Sequence, residues 1–217
     1  AINMAVGAAH AGARSATSTS GPGMSLMAEG MGFAAMTEAP GPVVFLWQRG
    51  GPSTGLPTRQ EQGDLKLALQ PAHGEFPHLV IAPGDIEEIV EDSYEVFNWV
   101  ERYQMPAVVL VDKKFASGFI TVDDLGLDKL PPVDRGLFFE SNGDYLRHAF
   151  TASGISPRSV PGQEGGIFWT TTDEHDQRGH ITENPENRVQ MMDKRMVKLQ
   201  LAAKEIRYYP ESTYVFD

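Results

Sequence analysis

Arg49 is the side chain in this sequence that is best placed to bind a small anion. It follows the continuous apolar run 43–47 (VVFLW), which is typical of a central parallel strand, and it precedes two glycines. Ligands of open α/β sheets bind outside the carboxyl ends of the strands, and a guanidinium can hold a carboxylate through two charge-assisted hydrogen bonds. The alternative is a structural ion pair with an acid such as Asp64.

A second candidate is the turn Ser20-Gly21-Pro22-Gly23, which is predicted to join a strand to a helix. Free N–H groups and the helix dipole favour an anion there, and the missing side chains let a ligand approach the backbone. The turn is not a P-loop, because no Lys-Ser or Lys-Thr follows it. It also departs from G-x-G-x-x-G, because Ala28 and Glu29 occupy the wrong places. A purely structural turn is the alternative.

A third pattern is Gly51-Pro52-Ser53-Thr54-Gly55, which has the G-x-S-x-G spacing of a nucleophile elbow. Asp176 and His180 follow it in the chain order of a hydrolase triad. An elbow places its serine on a strained strand-to-helix turn, whereas Ser53 is separated from its strand by two glycines and followed by Pro57. We therefore expect Ser53 to be a turn residue, and a serine hydrolase is the less favoured alternative.

Acidic and imidazole side chains between residues 173 and 183 suggest a metal site with oxygen and nitrogen ligands. No recognised ligand spacing supports it, so we expect a solvated, charged loop and predict no metal bound by this chain. The side chains concerned are Asp173, Glu174, His175, Asp176, His180 and Glu183. The remaining histidines, His10, His73, His78 and His148, have no partner pattern and are predicted to be structural.

The elements that must position these residues alternate in type. Their β-loop-α-β order predicts an α/β fold with a parallel β-sheet flanked by helices. Strands are predicted at 14–20, 43–47, 79–82 and 107–111, and helices at 24–36, 61–69 and 85–103. Asp85 and Glu88 have capping-box spacing at the start of the last of these helices.

One domain is predicted over residues 1–206, incomplete at its N-terminus because the sequence begins within a helical pattern. After Asp112 the sequence is rich in glycine and proline, which indicates a surface excursion over about 113–184. A closing helix is predicted over about 185–206, with Met192, Met196, Leu199 and Ala203 as its core stripe. Residues 207–217 are predicted to be a linker to a further domain.

Composition excludes several classes of function. The 217 residues carry 18 Lys and Arg against 29 Asp and Glu, a formal charge of -11 that disfavours nonspecific nucleic-acid binding. The absence of cysteine removes disulfides, thiolate nucleophiles, Cys-ligated zinc and iron–sulfur clusters from this chain. Because there is no apolar run of 18 residues and no signal-peptide pattern, we expect a cytoplasmic protein without a membrane partner.

Several strings of this sequence together resemble a known family. They are TSGPGMSLMAEGMG (19–32), QRGGPSTGLPTRQEQGDL (48–65), HGEFP (73–77) and EHDQRGHITENPENRVQMMDKRM (174–196). In this order, and over nearly the whole chain, they are similar to the α subunit of 2-oxoacid:ferredoxin oxidoreductases.

The resemblance implies a pyrimidine-binding domain of a thiamine diphosphate enzyme. Such an enzyme decarboxylates a 2-oxoacid, passes electrons to an iron–sulfur cluster and ferredoxin, and transfers the acyl group to coenzyme A. Mg²⁺ and the cluster are then expected in a β subunit or another domain, within a hetero-oligomer that is active only when complete. The substrate is expected to be 2-oxoglutarate or pyruvate, and the GGPSTGLPT loop is more similar to the 2-oxoglutarate branch.

The resemblance also implies roles for individual residues. Arg49 matches the arginine that binds the substrate carboxylate, and Thr58 matches a threonine on the loop that closes over this site. Gly21 and Pro22 match the turn beside the cofactor's aminopyrimidine. The catalytic glutamate and the family's Tyr-Pro-Ile-Thr-Pro loop are expected upstream of Ala1. The alternative is a noncatalytic assembly module, whose Met-rich last helix and surface excursion would be docking surfaces.

Overall fold

The computed structural model describes residues 1–141 and 143–206. At its centre is a parallel sheet of four strands in the order β1-β2-β4-β3. The strands are β1 (Ala16–Thr19), β2 (Val43–Gln48), β3 (Leu79–Ile81) and β4 (Ala107–Asp112). The helices of the described ranges are α1 (Ile2–His10), α2 (Gly21–Ser25), α3 (Ala28–Met36), α4 (Leu65–Leu69), α5 (Ile86–Tyr103), α6 (Lys113–Ser117) and α7 (Pro185–Glu205). The predicted α/β fold with a parallel sheet is confirmed.

The two central strands are apolar throughout because both faces of the sheet are covered. Val44 and Leu46 of β2 pack on one side in a cluster that includes Met24 and Met31 of α2 and α3. Val43 and the alternate residues of β4 face the other side, against α5. This arrangement explains why the sequence predicts both strands from continuous runs and not from alternation.

Helix α5 begins where its sequence predicts. The Asp85 carboxylate accepts a hydrogen bond from the Glu88 backbone N–H at 2.8 Å, as in a capping box. The Glu88 side chain accepts in turn from the N–H of Gly84, one residue before the cap, at 2.6 Å. The helix ends where Gln104 adopts a left-handed conformation, with φ of 51°.

The prediction of one helix over 24–36 is wrong, because two helices occupy this region. The first, α2, already begins at Gly21, with Ser20 extended before it and Pro22 in the first turn, where its fixed φ suits a helix. Leu26 and Met27 separate it from α3. The predicted strand at 14–20 is shorter, and only the end of the predicted helix at 61–69 is helical, as α4.

The prediction of a surface excursion over 113–184 holds only in part. Residues 113–135 and 160–174 are mostly exposed or half-buried. In contrast, several polar side chains of the segment are buried. Arg147, His148 and Arg158 bind Glu38 or Glu101 of the sheet domain. The side chains of Ser156, Ser159 and His175 form hydrogen bonds within the segment itself.

Helix α7 begins as predicted, with the Asn184 side chain accepting from the Asn187 N–H at 2.8 Å. The predicted core stripe is wrong, however. Met192, Met196 and Leu199 are half-buried and Ala203 is exposed. The buried face is rotated by about one residue and is largely charged, because it packs over a buried acid, Glu38. It consists of Met191, Lys194, Arg195, Lys198 and Ala202. The predicted linker, 207–217, lies outside the described residues.

Candidate active site

The carboxyl ends of β1, β2 and β4 meet at one edge of the sheet, because all the strands are parallel. The chain leaves β1 into the Ser20–Gly23 turn and leaves β2 into Arg49. At the end of β4, Asp112 pairs in register with Gln48 of β2. Ligands of open parallel sheets bind at such an edge. The fold therefore brings both predicted anion sites to the same edge.

Arg49 lies half-buried at this edge of the sheet. Its Nε atom is buried and forms no hydrogen bond, and Arg49 forms no ion pair with any of the described residues. Burial raises the pKa of the Asp64 carboxyl, Glu61 raises it further, and the positive charge of Arg49 acts in the opposite direction. Arg49 and Asp64 are thus close enough to interact electrostatically. The structural ion pair that the sequence left open is not formed.

Gly21, in the first turn of α2, lies close to the Asp64 side chain. It is buried, and a Cβ added to it would lie 2.7 Å from Oδ1 of Asp64. Only glycine therefore lets the turn approach Asp64 this closely. Pro22 follows at the start of α2, where it is half-buried. The predicted turn thus lies against Asp64, the acid whose pKa the charge of Arg49 lowers.

Thr58 lies on an exposed loop between β2 and α4. The loop folds back on itself, since the N–H of Leu56 donates to the carbonyl of Gly50 at 2.8 Å and that of Arg59 to the carbonyl of Leu56 at 3.1 Å. All residues from 51 to 63 are exposed. The Thr58 side chain forms no hydrogen bond within the described part of the chain, so the structure leaves it free at the edge and does not join it to Arg49.

Asp112 anchors this loop, although the sequence prediction did not identify it. Its carboxylate accepts hydrogen bonds from the side-chain amides of Gln48, Gln60 and Gln62. The only signal in the sequence was its position at the carboxyl end of a buried strand. Which strand neighbours β2, and how the loop folds back, are tertiary facts that the sequence pattern does not contain.

The serine hydrolase alternative is not supported by the geometry. Ser53 is exposed, with a left-handed φ of 54°. The Asp176 carboxylate accepts from the backbone N–H groups of Arg178 and His180, at 2.8 and 3.0 Å, and so stabilises its own turn. The His180 ring lies beside Trp169, with centroids 5.9 Å apart. In the described residues, neither of these predicted triad partners hydrogen-bonds to Ser53.

The loop at 173–183 also differs from its prediction as a solvated, charged loop, because part of it is buried. The His175 ring is completely buried and lies 4.2 Å from the His148 ring, measured between centroids. Glu174 binds Arg188 at 2.6 Å and Arg195 at 2.7 Å, which fastens the loop to α7. Across residues 1–141 and 143–206, no three His, Asp or Glu side chains are grouped so that they could hold a metal ion.

Three buried polar atoms at the sheet edge have no hydrogen-bond partner within residues 1–141 and 143–206: Oε1 of Gln48, Nε of Arg49 and Oδ2 of Asp64. Buried polar groups in native proteins are nearly always paired, because an unpaired one costs about 1–3 kcal/mol. A polar ligand at this edge would satisfy both donors and acceptors. Its anionic part would bind Arg49 and its hydrogen-bond donors would face Gln48 and Asp64.

Comparisons with known proteins identify the family of this chain and several similar chains. The family described as pyruvate flavodoxin/ferredoxin oxidoreductase, thiamine diphosphate-binding, matches residues 1–194. The α subunit of 2-oxoacid:ferredoxin oxidoreductase 1 of Sulfurisphaera tokodaii is 49% identical over 99% of this chain. The 2-oxoglutarate synthase subunit KorA of Archaeoglobus fulgidus is 46% identical over 52% of it. The chain spans 34% and 32% of these relatives, respectively.

A solved structure is similar in fold and sequence. It is the 2-oxoglutarate:ferredoxin oxidoreductase from Magnetococcus marinus with 2-oxoglutarate, coenzyme A and succinyl-CoA bound, at a TM-score of 0.88 and 35% identity. The match covers 95% of this chain and 36% of that one. None of the helices that the structure describes is both long and apolar enough to span a bilayer.

Proposed function

Because this chain belongs to the thiamine diphosphate-binding family of pyruvate flavodoxin/ferredoxin oxidoreductases, we propose that it supplies part of the active site of a 2-oxoacid:ferredoxin oxidoreductase. The reaction is the oxidative decarboxylation of a 2-oxoacid with coenzyme A. Its products are the acyl-CoA, carbon dioxide and two electrons for ferredoxin. The observation that carries the proposal is Arg49, an arginine without an ion-pair partner in the described structure, at the carboxyl end of a central strand.

Arg49 binds the substrate carboxylate in this proposal. A guanidinium presents two parallel N–H groups to a carboxylate, and each charge-assisted bond contributes about 1.5–3 kcal/mol. Its half-buried position strengthens the interaction, since less water competes for the charge than at an open surface. Thr58 lies on the loop that follows Arg49. In this proposal the loop closes over the bound substrate.

Gly21 and Pro22 lie beside the cofactor's aminopyrimidine. The fit rests on the glycine-containing first turn of α2, which leaves its backbone approachable, and on the unpaired buried oxygens of Gln48 and Asp64. These oxygens accept hydrogen bonds from amino groups or from ordered water. Thiamine diphosphate, when bound, supplies the carbanion stabilisation that loss of carbon dioxide requires.

The rest of the reaction depends on other parts of the enzyme. We propose a partner β subunit that holds Mg²⁺ and an iron–sulfur cluster, ferredoxin as the electron acceptor, and a cytoplasmic location. The substrate class is 2-oxoacids, with 2-oxoglutarate and pyruvate as the candidates. Support for 2-oxoglutarate comes from the names of the KorA relatives and from the ligands of the Magnetococcus marinus enzyme.

The first experiment is purification of the complete complex, with its chains identified by native mass spectrometry and its thiamine diphosphate and iron quantified. The proposal predicts ferredoxin reduction that requires both a 2-oxoacid and coenzyme A. Comparing kcat/KM for pyruvate and 2-oxoglutarate then identifies the preferred substrate. A cofactor-free complex without this activity would overturn the proposal.

Substitution of Arg49 tests its assigned role. R49A removes the carboxylate contact, and R49K keeps the charge but loses the paired geometry, so both variants are expected to lower kcat/KM by at least roughly a hundredfold. R178A is the matched control, because Arg178 pairs with the exposed Asp144 on the surface. An unchanged kcat/KM in R49A would favour the noncatalytic assembly module.

A further inference from the structure

We propose that Asp112 is a positioning residue, which fastens the substrate loop (residues 51–63) to the end of β4 and fixes the orientation of the Gln48 amide at the end of β2. This inference rests on the function proposed above. Asp112 does not have to touch the substrate for this role. It acts through the amide side chains of Gln48, Gln60 and Gln62.

The Asp112 carboxylate is almost fully used by these three amides. Oδ1 accepts from Nε2 of Gln48 at 3.3 Å and from Nε2 of Gln62 at 3.1 Å. Oδ2 accepts from Nε2 of Gln60 at 3.2 Å and from Nε2 of Gln62 at 2.9 Å. A carboxylate offers about four acceptor positions, so few of them are left for water.

The conformation of the substrate loop depends on these hydrogen bonds to Asp112 more than the conformation of a buried loop would. Residues 51–63 are all exposed, so the loop has no apolar anchor in the core. Within the described structure, every side-chain hydrogen bond from residues 51–63 to the rest of the fold ends on Asp112. Gln60 and Gln62 lie just after Thr58, so they fix the segment that carries it.

Asp112 is held at the end of a paired strand. It is the last residue of β4 and pairs in register with Gln48 of β2, whereas the pairing of β4 with β3 ends at Val109. A loop attached to the end of such a strand is already ordered before the substrate arrives. Binding then costs less conformational entropy, and Thr58 stays near its working position.

The same carboxylate also fixes Gln48. An ionised carboxylate only accepts hydrogen bonds, so the Gln48 amide must turn its Nε2 toward Asp112. Gln48 is 6% exposed, and its Oε1 is buried without a hydrogen-bond partner among the described residues. This orientation leaves the Oε1 of Gln48 as an acceptor at the end of β2, the edge of the sheet from which Arg49 follows.

The test uses the complete enzyme complex with D112N, which keeps the shape of the side chain but replaces one acceptor oxygen by a donor. We expect KM for the 2-oxoacid to rise roughly tenfold, which corresponds to about 1.4 kcal/mol. KM for coenzyme A should stay within about twofold and kcat within about threefold. The double variant Q60A/Q62A, which changes only exposed loop side chains, should reproduce part of the rise in KM. D144N is the matched control, because Asp144 is exposed and distant in sequence from the loop.

Hydrogen exchange of the loop gives a measurement that does not depend on activity. The amides of Gly50, Leu56 and Arg59, which donate the backbone hydrogen bonds that close the loop, should exchange faster in D112N than in the wild type or D144N, while those of β2 and β4 should not change. Unchanged exchange in the loop would overturn the inference, and so would faster exchange without a rise in KM. If the wild-type complex has no 2-oxoacid activity, the proposed function fails, and the exchange data still decide whether Asp112 holds the loop.

Discussion

The Glu38 carboxylate binds the ammonium group of Lys198 at 2.8 Å, and both side chains are completely buried. Lys194 binds the same carboxylate at 2.6 Å, and Nδ1 of His148 lies 3.0 Å from it. Burial alone would raise the pKa of Glu38, but Lys198, Lys194 and the His148 hydrogen bond outweigh it and hold the pKa well below its usual value. This cluster joins the turn between α3 and β2 to the last helix.

The first prediction is that E38Q strongly destabilises the protein. The substitution leaves two buried lysines without a counter-charge, and breaking a buried ion pair in this way costs about 3–5 kcal/mol. K194M should cost less, because Lys198 and His148 still pair with Glu38. Thermal denaturation of the full subunit measures both effects. An E38Q variant as stable as K194M would contradict the argument.

The second prediction concerns Glu101, a buried carboxylate on α5 that binds three arginines. Its oxygens lie 2.7 Å from Nε of Arg14, 2.7 Å from Nε of Arg135 and 3.0 Å from a terminal nitrogen of Arg158. E101Q should therefore cost about 3–5 kcal/mol of unfolding free energy. R135M should cost less than about 1 kcal/mol, because the Arg135 side chain is 41% exposed and two other arginines remain. Urea denaturation compares the two variants, and equal losses would argue against this hierarchy.

The third prediction is a loss of stability on mild acidification. Burial and the nearby Arg147 lower the pKa of His10 to about 4. Burial lowers the pKa of His148 to about 3, with Glu38 opposing and Arg147 adding to the effect. Below about pH 6.5 the unfolded chain binds protons that the folded chain does not, so stability falls until the folded pKa is reached. Each histidine contributes a slope of about 1.4 kcal/mol per pH unit in that range.

The variant H10Q isolates the contribution of His10 to this loss of stability. His10 pairs through Nε2 with the Thr37 hydroxyl at 3.0 Å, and H10Q offers an amide that can replace this bond without titrating. H10Q should lose less stability than the wild type between pH 6.5 and 4, as measured by the midpoint of urea denaturation at each pH. Parallel pH profiles for the two proteins would rule out His10 as a source of the acid sensitivity.

The local features of this fold could be predicted from the sequence because their causes are local. The runs at 43–47 and 107–111 are apolar since both strands are covered on both faces, and the caps at Asp85 and Asn184 depend on residues three positions away. Arg49 could be placed at the sheet edge because a strand ends directly before it. Gly21 could be placed there from its turn, but its contact with Asp64 could not.

The features that the sequence did not predict depend on residues far apart in the chain. Lys194 and Lys198 form the inner face of α7 only because Glu38 meets them there, and a hydrophobic pattern instead favours the neighbouring methionines. The role of Asp112 depends on β4 lying beside β2 and on the return of the loop to that edge. Charged interior contacts of this kind carry no periodic signal.

The last prediction tests the turn after β1. In G21A the added Cβ would lie 2.7 Å from Oδ1 of Asp64, so the first turn of α2 or the Asp64 side chain must shift. We expect the concentration of thiamine diphosphate needed for half-maximal activation to rise at least roughly tenfold, or about 1.4 kcal/mol. G7A is the matched control, since a Cβ on Gly7 of α1 meets no atom within 4 Å. Alanine there should stabilise the helix by about 0.5–1 kcal/mol and leave cofactor activation unchanged. Equal activation curves for the two variants would show that the turn does not contact the cofactor.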